Sequence, residues 1–397
     1  MKDTLYLAWR YVAYHRVKTA ILIASITLIV FLPVGLNVLV GQSADELTAR
    51  AEATPLLVGA KGSPLELALN SLYFDTELPA RSTHAQVDRV AESGLARAIP
   101  LYVRFRVRDQ PIVGTTLDYF DFRGLRVAEG RQMAVLGECV LGARAARRLG
   151  VGPGGSVVSS PESVFDLAGV YPLKMKVVGV LEPAFSPDDR AVFVDLKTVW
   201  VIEGLGHGHQ DLAQPEAAGA ILEREGNTIR ANASLVQYNE ITPENRDSFH
   251  FHGGREDFPI TAVLAVPEDH KAGVILLGRF QGDRDGNAEQ AQIVRPAVVI
   301  RELLETVFTV QSFVVAGILL VSVATLATAV LVLMLSLRLR RREIETLVKI
   351  GGSRKRVAVL VASEAAIVLL VGAALAGGLT ALTHRFGSAA IRMFLLS

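Results

Sequence analysis

Three long apolar stretches set the first limit on what this chain can fold into. Residues 19–41 and 306–337 contain no ionisable side chain, and residues 357–383 contain only Glu364. A bilayer core of about 30 Å is crossed by roughly 20 apolar helical residues, so each stretch is long enough to span it. The chain is predicted to be a membrane protein with a bundle of three transmembrane helices and one large extramembrane domain, residues 42–305.

Positive charge is concentrated at one end of each span. Residues 1–18 and 338–356 are both rich in lysine and arginine. Short loops of this composition stay in the cytoplasm, so the domain and the C-terminal tail, residues 384–397, are predicted to lie outside. Anionic headgroups or a cytoplasmic partner account for the basic residues, and nothing in the sequence indicates nucleic-acid binding.

Each segment near the membrane has a predicted form. Residues 1–18 mix apolar and basic positions, as an amphipathic helix on the cytoplasmic face does. The first span is predicted to be an uncleaved anchor, because it is longer than a signal-peptide core and no A-x-A-like cleavage site follows it. The apolar run 306–337 exceeds what a bilayer needs, so it is predicted to continue outside the membrane as a stalk.

The extracytoplasmic domain has an α+β pattern in which strands predominate. Alternating or β-branched runs predict strands at residues 101–107, 110–116, 174–180, 191–194, 261–266 and 297–300. The spacing of residues 138–149 predicts a helix. The composition changes after about residue 203, so residues 205–295 are predicted to form, in part, a second subdomain. Cys139 is the only cysteine, so no disulfide can form within the chain.

Ordered motifs in two blocks carry a family resemblance. In the domain they are Val113–Tyr119, Glu129–Arg131, Glu138–Gly142, Arg148–Gly150 and Val177–Val180. Near the C-terminus, Arg341–Ser353 is followed by Val357 and Glu364. With the layout of anchor, outer domain, stalked helix, basic loop and helix, the chain resembles the FtsX/MacB-like permease superfamily of ABC transporters, which includes the lipoprotein-releasing permeases.

The resemblance implies a fold and a role. The domain would be of the MacB-like periplasmic core type, in a multi-pass protein of a bacterial inner membrane. The chain would be a permease subunit working by mechanotransmission, in which a separate ATPase moves the periplasmic domain to export or extract a substrate. A second permease chain, as a homodimer, and a periplasmic partner or lipoprotein are expected. Family members usually carry a fourth crossing, whereas this sequence stops at Ser397, soon after the third.

Residues 338–356 are the expected point of contact with the ATPase. They predict a short helix between two spans, which Gly351 and Gly352 end and after which Ser353 caps the next helix. In the family this element is the coupling helix; charge alone equally allows a cytoplasmic loop without a partner. The predicted coupling residues are Arg341, Arg342, Glu343, Ile344, Leu347, Gly351 and Gly352. The chain has no G-x-x-x-x-G-K-[ST] phosphate loop, so it is predicted to be a transport subunit and not an enzyme, with ATP used by the partner.

Two further groups of polar residues are candidates for function. His207, His209, His250 and His252 form two His-x-His pairs, which are compatible with a zinc or copper site or with solvated loop histidines. This pattern raises a second hypothesis, a membrane-anchored periplasmic metal-binding or metal-sensing protein. Glu364 is an intramembrane carboxylate, for which pairing with a neighbouring helix or the cytoplasmic loop is favoured over a transport role.

Overall fold

The computed structural model describes residues 2–74, 78–160, 172–208, 221–225, 228–231, 239–282, 291–349 and 353–395; among these, side chains are not described for 2–5, 221–231, 282, 333, 336–337, 343–344, 347–348, 354 and 388–395. Two compact units make up the chain. The first, the membrane unit, is Met1–Ala49 with Glu302–Ser397. The second, Arg50–Arg301, contains most of the residues predicted to form the periplasmic domain and takes that name below.

The described part of the membrane unit consists mainly of five helices. They are α1 (Lys2–Tyr14), α2 (Arg16–Glu52), α9 (Pro296–Leu339), α10 (Arg341–Lys349) and α11 (Arg354–Leu395). Three of these, α2, α9 and α11, contain windows long and apolar enough to cross a membrane. The predicted three-span architecture is therefore confirmed for the described part of the chain.

The long helices extend beyond the apolar runs that predicted them. Helix α2 continues past Gly41 to Glu52, and α9 begins ten residues before Thr306, at Pro296. Helix α11 continues to Leu395 and so includes most of the predicted tail, residues 384–397. Apolar composition marks only the part of a helix that suits lipid, because the backbone can stay helical where the side chains become polar.

The membrane helices contact each other through small and polar residues. The hydroxyl of Thr27 in α2 donates to the carbonyl oxygen of Gly372 in α11 at 3.2 Å, and Ala376, one turn further, is fully buried. The amide of Gln311 in α9 donates to Asn37 in α2 at 2.6 Å. Small side chains let helices approach closely in lipid, and hydrogen bonds between helices add to the packing.

The periplasmic domain is built from short helices and strands. The helices are α3 (Pro64–Tyr73), α4 (Ala85–Glu92), α5 (Leu117–Arg123), α6 (Ala143–Leu149), α7 (Leu196–Ile202) and α8 (His270–Gly282). The strands of the large sheet are β1 (Leu56–Ala60), β3 (Ala96–Val107), β4 (Gln110–Thr115), β5 (Val127–Gly130), β6 (Glu138–Leu141), β7 (Ser156–Val158), β8 (Lys174–Leu181), β9 (Val192–Asp195), β15 (Ala262–Pro267) and β16 (Ala291–Val294). Smaller pairs are formed by β2 (Ser82–Thr83) with β14 (Pro259–Ile260), β10 (Gly206–Gly208) with β13 (Phe249–Phe251), and β11 (Ile221–Glu225) with β12 (Thr228–Ala231).

The large sheet is mixed. Its order is β16-β1-β15-β3-β4-β9-β6-β8-β5, with β7 also paired to β8. The pairs β4–β9 and β6–β8 are parallel and the other pairs are antiparallel. The α+β prediction is thus confirmed. Strands β15 and β16 lie within residues 205–295, the predicted second subdomain, yet they belong to this sheet.

Two local predictions are wrong. Residues 138–141 form strand β6, and the helix starts only at Ala143. All four residues of β6 are buried because neighbouring strands and covering layers enclose both faces, and such a strand gives a continuous apolar run instead of alternation. Residues 297–300, predicted as a strand from their β-branched side chains, are the first turn of α9 after Pro296, a residue suited to the first helical position.

Candidate functional site

One arginine joins three helices of the membrane unit. Arg340 lies in the turn between α9 and α10, and its Nη1 donates to Oε2 of Glu364 in α11 at 3.1 Å. Its guanidinium carbon also lies 3.6 Å from the centre of the Tyr11 ring in α1. The side chains of Arg340 and Glu364 are only 17% and 13% exposed. This set, Arg340 with Glu364 and Tyr11, is called the helical junction below.

The helical junction explains how an intramembrane carboxylate is tolerated. A charged group in a transmembrane segment is expensive unless it is paired, and Glu364 has an arginine partner from the loop that precedes its own helix. Cation–π contact with Tyr11 adds a second favourable interaction for the same guanidinium. Arg340 thus connects the α9–α10 turn to both α1 and α11.

The predicted coupling residues lie in and just after α10. Arg341 pairs with Glu345 one turn on at 3.2 Å, and Arg341 and Arg342 are exposed. The backbones of Glu343, Ile344 and Leu347 belong to α10, while their side chains lie outside the description, as do Gly351 and Gly352 entirely. The hydroxyl of Ser353 accepts a hydrogen bond from the backbone N–H of Arg356 at 3.4 Å, which is the predicted cap.

Sequence reasoning missed a buried ion pair in the periplasmic domain. Arg50, in the last turn of α2, contacts Asp188 through Nη1 at 2.7 Å and Nη2 at 3.0 Å. The Tyr119 hydroxyl donates to Asp188 at 2.7 Å. The side chains of Arg50 and Asp188 are 9% and 2% exposed. The two residues are 138 positions apart, so no local pattern could have revealed the pair.

The charge of Asp188 is fixed by its partners. Burial by itself would raise the pKa of this carboxyl, but the charge and hydrogen bonds of Arg50, with the hydrogen bond from Tyr119, outweigh burial and lower it to about 2. Asp188 is therefore ionised at neutral pH although it is enclosed. The pair fastens the end of α2 into the domain.

Two of the sequence motifs contact each other near the β5 end of the large sheet. Arg131, from Glu129–Arg131, forms an ion pair with Glu138, from Glu138–Gly142, through both carboxylate oxygens. The Glu138 oxygen Oε2 also accepts from the backbone N–H of Ala134 at 2.9 Å. Burial raises the pKa of Glu138, but these bonds outweigh it and lower the value. The motifs thus serve the packing of β5, β6 and β8.

Three of the four predicted histidines come together. In the β10–β13 pair, His207 lies directly opposite His250, and His252 follows two residues later. The ligand nitrogens of these three side chains all lie within 4.8 Å of one another. His207 and His250 are half-buried and His252 is exposed. His209, the fourth predicted ligand, lies outside the described residues.

The opposite face of the same pair is apolar and fits closely. Phe249 and Phe251 pack against the domain core. Their rings lie over Gly208 and Gly206, where a Cβ atom would come within 2.5 Å of a ring carbon. Only glycine allows this approach. The strand pair β10–β13 therefore has phenyl rings on one face and imidazoles on the other. The three imidazoles, of His207, His250 and His252, are called the His triad below.

Three long apolar helices and a separate α+β unit define a membrane protein with a large extramembrane domain. The family model for the MacB-like periplasmic core domain matches residues 19–229, more than half of the 397 residues. The chain belongs to the FtsX/MacB-like family of ABC transporter permeases. It is a transport component of a membrane transporter that works with an ABC ATPase, and it carries a periplasmic domain.

Two solved structures are similar to part of the chain. The periplasmic region of MacB from Actinobacillus actinomycetemcomitans is 12% identical, covers 66% of this chain and 97% of its own, and has a TM-score of 0.34. The extracellular domain of the noncanonic ABC-type transporter YknZ from Gram-positive bacteria is 14% identical, covers 60% and 98%, and has a TM-score of 0.32. No curated protein matches the chain.

Proposed function

We propose that this chain is the permease subunit of an ABC transporter that works by mechanotransmission in a bacterial inner membrane. A separate ATPase would bind α10 and move it when ATP is bound and hydrolysed. The movement would pass to α1, α9 and α11 and then to the periplasmic domain, which would export or extract a substrate on that side. The substrate class is outside this proposal.

The helical junction is the observation that carries the proposal. Arg340 sits at the base of α10, which has the length and position expected of a coupling helix. One guanidinium contacts both α1 and α11. A push on α10 is therefore delivered to three helices at once, which is what an ATPase needs if it is to move a permease without entering the membrane.

Helix continuity supports the second half of the route. Helix α2 runs from the membrane unit to Glu52 without a break, and Arg50 in its last turn is held in the domain by Asp188. Helix α9 begins at Pro296, within the domain, and reaches Leu339. Both connections between the two units are helical in sequence, and the proposed route follows these two helices.

Two permease chains are proposed for each complex. Three spans enclose little membrane interior, and many apolar side chains of α9 are exposed in the single chain, among them Phe313 at 74% and Leu320 at 74%. Lipid or a second copy would cover them. A periplasmic partner, such as a lipoprotein, is proposed from the family alone.

A three-variant experiment tests the coupling route. The full-length permease is purified with a candidate ABC ATPase from the same organism and placed in nanodiscs, with spin labels at Lys197→Cys in the domain and Val17→Cys in the membrane unit. The label-to-label distance is measured with and without ATP. Leu347→Asp should prevent copurification of the ATPase. Arg340→Gln should leave binding and hydrolysis in place but abolish the ATP-driven change in distance.

Arg385→Gln is the matched control, because Arg385 is an exposed arginine of α11 outside the helical junction. It should behave as the parent protein in all three measurements. If Arg340→Gln shows the full ATP-driven distance change, the helical junction does not transmit the motion. If the parent protein shows no change, mechanotransmission itself is refuted.

The second candidate function, a metal-binding or metal-sensing module without transport, is favoured by the His triad. Family membership makes transport the primary role. A metal site would then be a property of the periplasmic domain of a permease.

A further inference from the structure

We propose that His207, His250 and His252 form a binding site for a divalent transition-metal ion, and that the ion is zinc. The proposal is independent of the coupling route, because the three residues lie within the periplasmic domain. It rests on strand register, on nitrogen positions and on the way the opposite face fixes the histidines.

Strand register places the imidazoles on one face. Directly opposed residues of an antiparallel pair have neighbouring side chains, and residues two apart in a strand share a face. His207 is opposed to His250, and His252 lies two positions after His250. The ring centres are accordingly 4.7, 4.9 and 5.0 Å apart.

The nitrogen positions are close to those of a metal site. In a tetrahedral zinc site with Zn–N distances of about 2.0–2.1 Å, ligand nitrogens lie about 3.3 Å apart. The candidate ligand atoms lie within 4.8 Å of one another. The difference of about 1.5 Å is within the reach of rotations about the side-chain torsions of the three imidazoles, which we expect to close around the ion.

The opposite face prevents the histidines from turning away. A register slip of one residue would exchange the two faces of the strand. That slip would place Phe249 or Phe251 among the imidazoles and His250 against the core, where the two rings now pack over Gly208 and Gly206. The site is therefore held in place by packing that involves no ligand residue.

The tautomer of one ligand is set by a backbone carbonyl. Nδ1 of His250 lies 3.0 Å from the carbonyl oxygen of Ser248, which can only accept, so in the neutral imidazole the proton is on Nδ1 and the lone pair on Nε2. Metal-bound histidines commonly donate their second nitrogen to a carbonyl in this way. Access is available from solvent, because His252 is exposed.

Zinc is the ion that this ligand set fits best. Neutral imidazoles suit zinc and copper, whereas magnesium and calcium take oxygen ligands. Three histidines that leave a fourth position for water are a known zinc arrangement. Because copper binds most nitrogen sites more tightly than zinc does, affinity alone would not identify the ion, and coordination geometry has to be measured.

The experiment uses the full-length protein in detergent, purified without a polyhistidine tag. Zinc is titrated by calorimetry, and cobalt(II) is used as a spectroscopic substitute because tetrahedral cobalt absorbs strongly in the visible range. We expect one zinc ion per chain and a tetrahedral cobalt spectrum that zinc abolishes. Each of His207→Ala, His250→Ala and His252→Ala should weaken zinc binding by at least about tenfold.

His270→Ala is the matched control, since His270 is an exposed histidine outside the His triad, and it should leave zinc affinity unchanged. Near-ultraviolet circular dichroism of each variant checks that the fold is retained. Absence of zinc uptake by the parent protein overturns the proposal, as does an octahedral cobalt spectrum. Equal zinc affinity in the triple variant would also overturn it, by locating binding elsewhere.

Discussion

The buried pair of Arg50 and Asp188 gives a stability prediction with a magnitude. Lowering the Asp188 pKa from 3.8 to about 2 corresponds to about 2–3 kcal/mol of folding free energy, at roughly 1.4 kcal/mol for each pKa unit. Asp188→Asn keeps the shape but removes the charge, and it leaves the enclosed guanidinium of Arg50 without its counter-ion. Breaking a buried pair in this way typically costs about 3–5 kcal/mol. We therefore expect a loss of about 3 kcal/mol at pH 6.

The assay is urea unfolding of the full chain in detergent. The chain has two tryptophans, Trp9 in the membrane unit and Trp200, which is 2% exposed in the domain. In a Trp9→Phe background, the fluorescence of Trp200 reports on the domain alone. The double variant Arg50→Met/Asp188→Leu removes both charges, and it should recover most of the lost stability because an apolar pair of similar size needs no counter-ion.

The pH dependence has a definite sign. Because the pKa of Asp188 is lower in the folded than in the unfolded protein, its stabilisation is complete above about pH 4 and is lost as pH falls from about 4 to about 2. The gap in unfolding free energy between the parent and Asp188→Asn should close over that range. A gap below about 0.5 kcal/mol at pH 6, or a gap that stays constant down to pH 2, would refute the argument.

Three other predictions concern the domain. Cys139 is fully buried in β6, and burial, together with the charge of the neighbouring Glu138, raises the pKa of its thiol to about 12. Thiol reagents should therefore label Cys139 only when the domain unfolds. Rapid labelling at neutral pH would show instead that β6 is accessible. Thr198→Val removes the hydroxyl that accepts from the backbone N–H of Gly137 at 3.1 Å and should lower unfolding free energy by about 1–3 kcal/mol, measured by the same urea assay. Gly208→Val should displace the Phe249 ring and speed hydrogen exchange across β10 and β13; unchanged exchange would contradict the close contact.

The sequence was most informative where a pattern repeats within one segment. Apolar length identified the spans, and alternation in residues 101–107 and 174–180 identified strands that are present as parts of β3 and β8. It failed at residues 138–141, where burial of both faces removes alternation. It failed again at residues 297–300, where side chains suited to a strand occur in a helix.

Pairings between distant segments could not be obtained in this way. Alternation alone places His250 and His252 on one face, but the position of His207 depends on the register between β10 and β13. Arg50 and Asp188 are likewise brought together only by the folded domain. For Arg340, the charge pattern indicated a cytoplasmic loop, while its contact with Tyr11 follows from packing among helices.

The unbroken length of α2 has a mechanical consequence. At 1.5 Å per residue, its 37 residues form a rod of about 55 Å. If a rod of this length pivots by about 10° about one end, its other end moves by about 10 Å. Pro33 is the one proline inside α2, and it removes a backbone hydrogen bond from the helix. The bending stiffness of α2 at Pro33 therefore sets how much of a rotation at one end of the helix is transmitted to the other end.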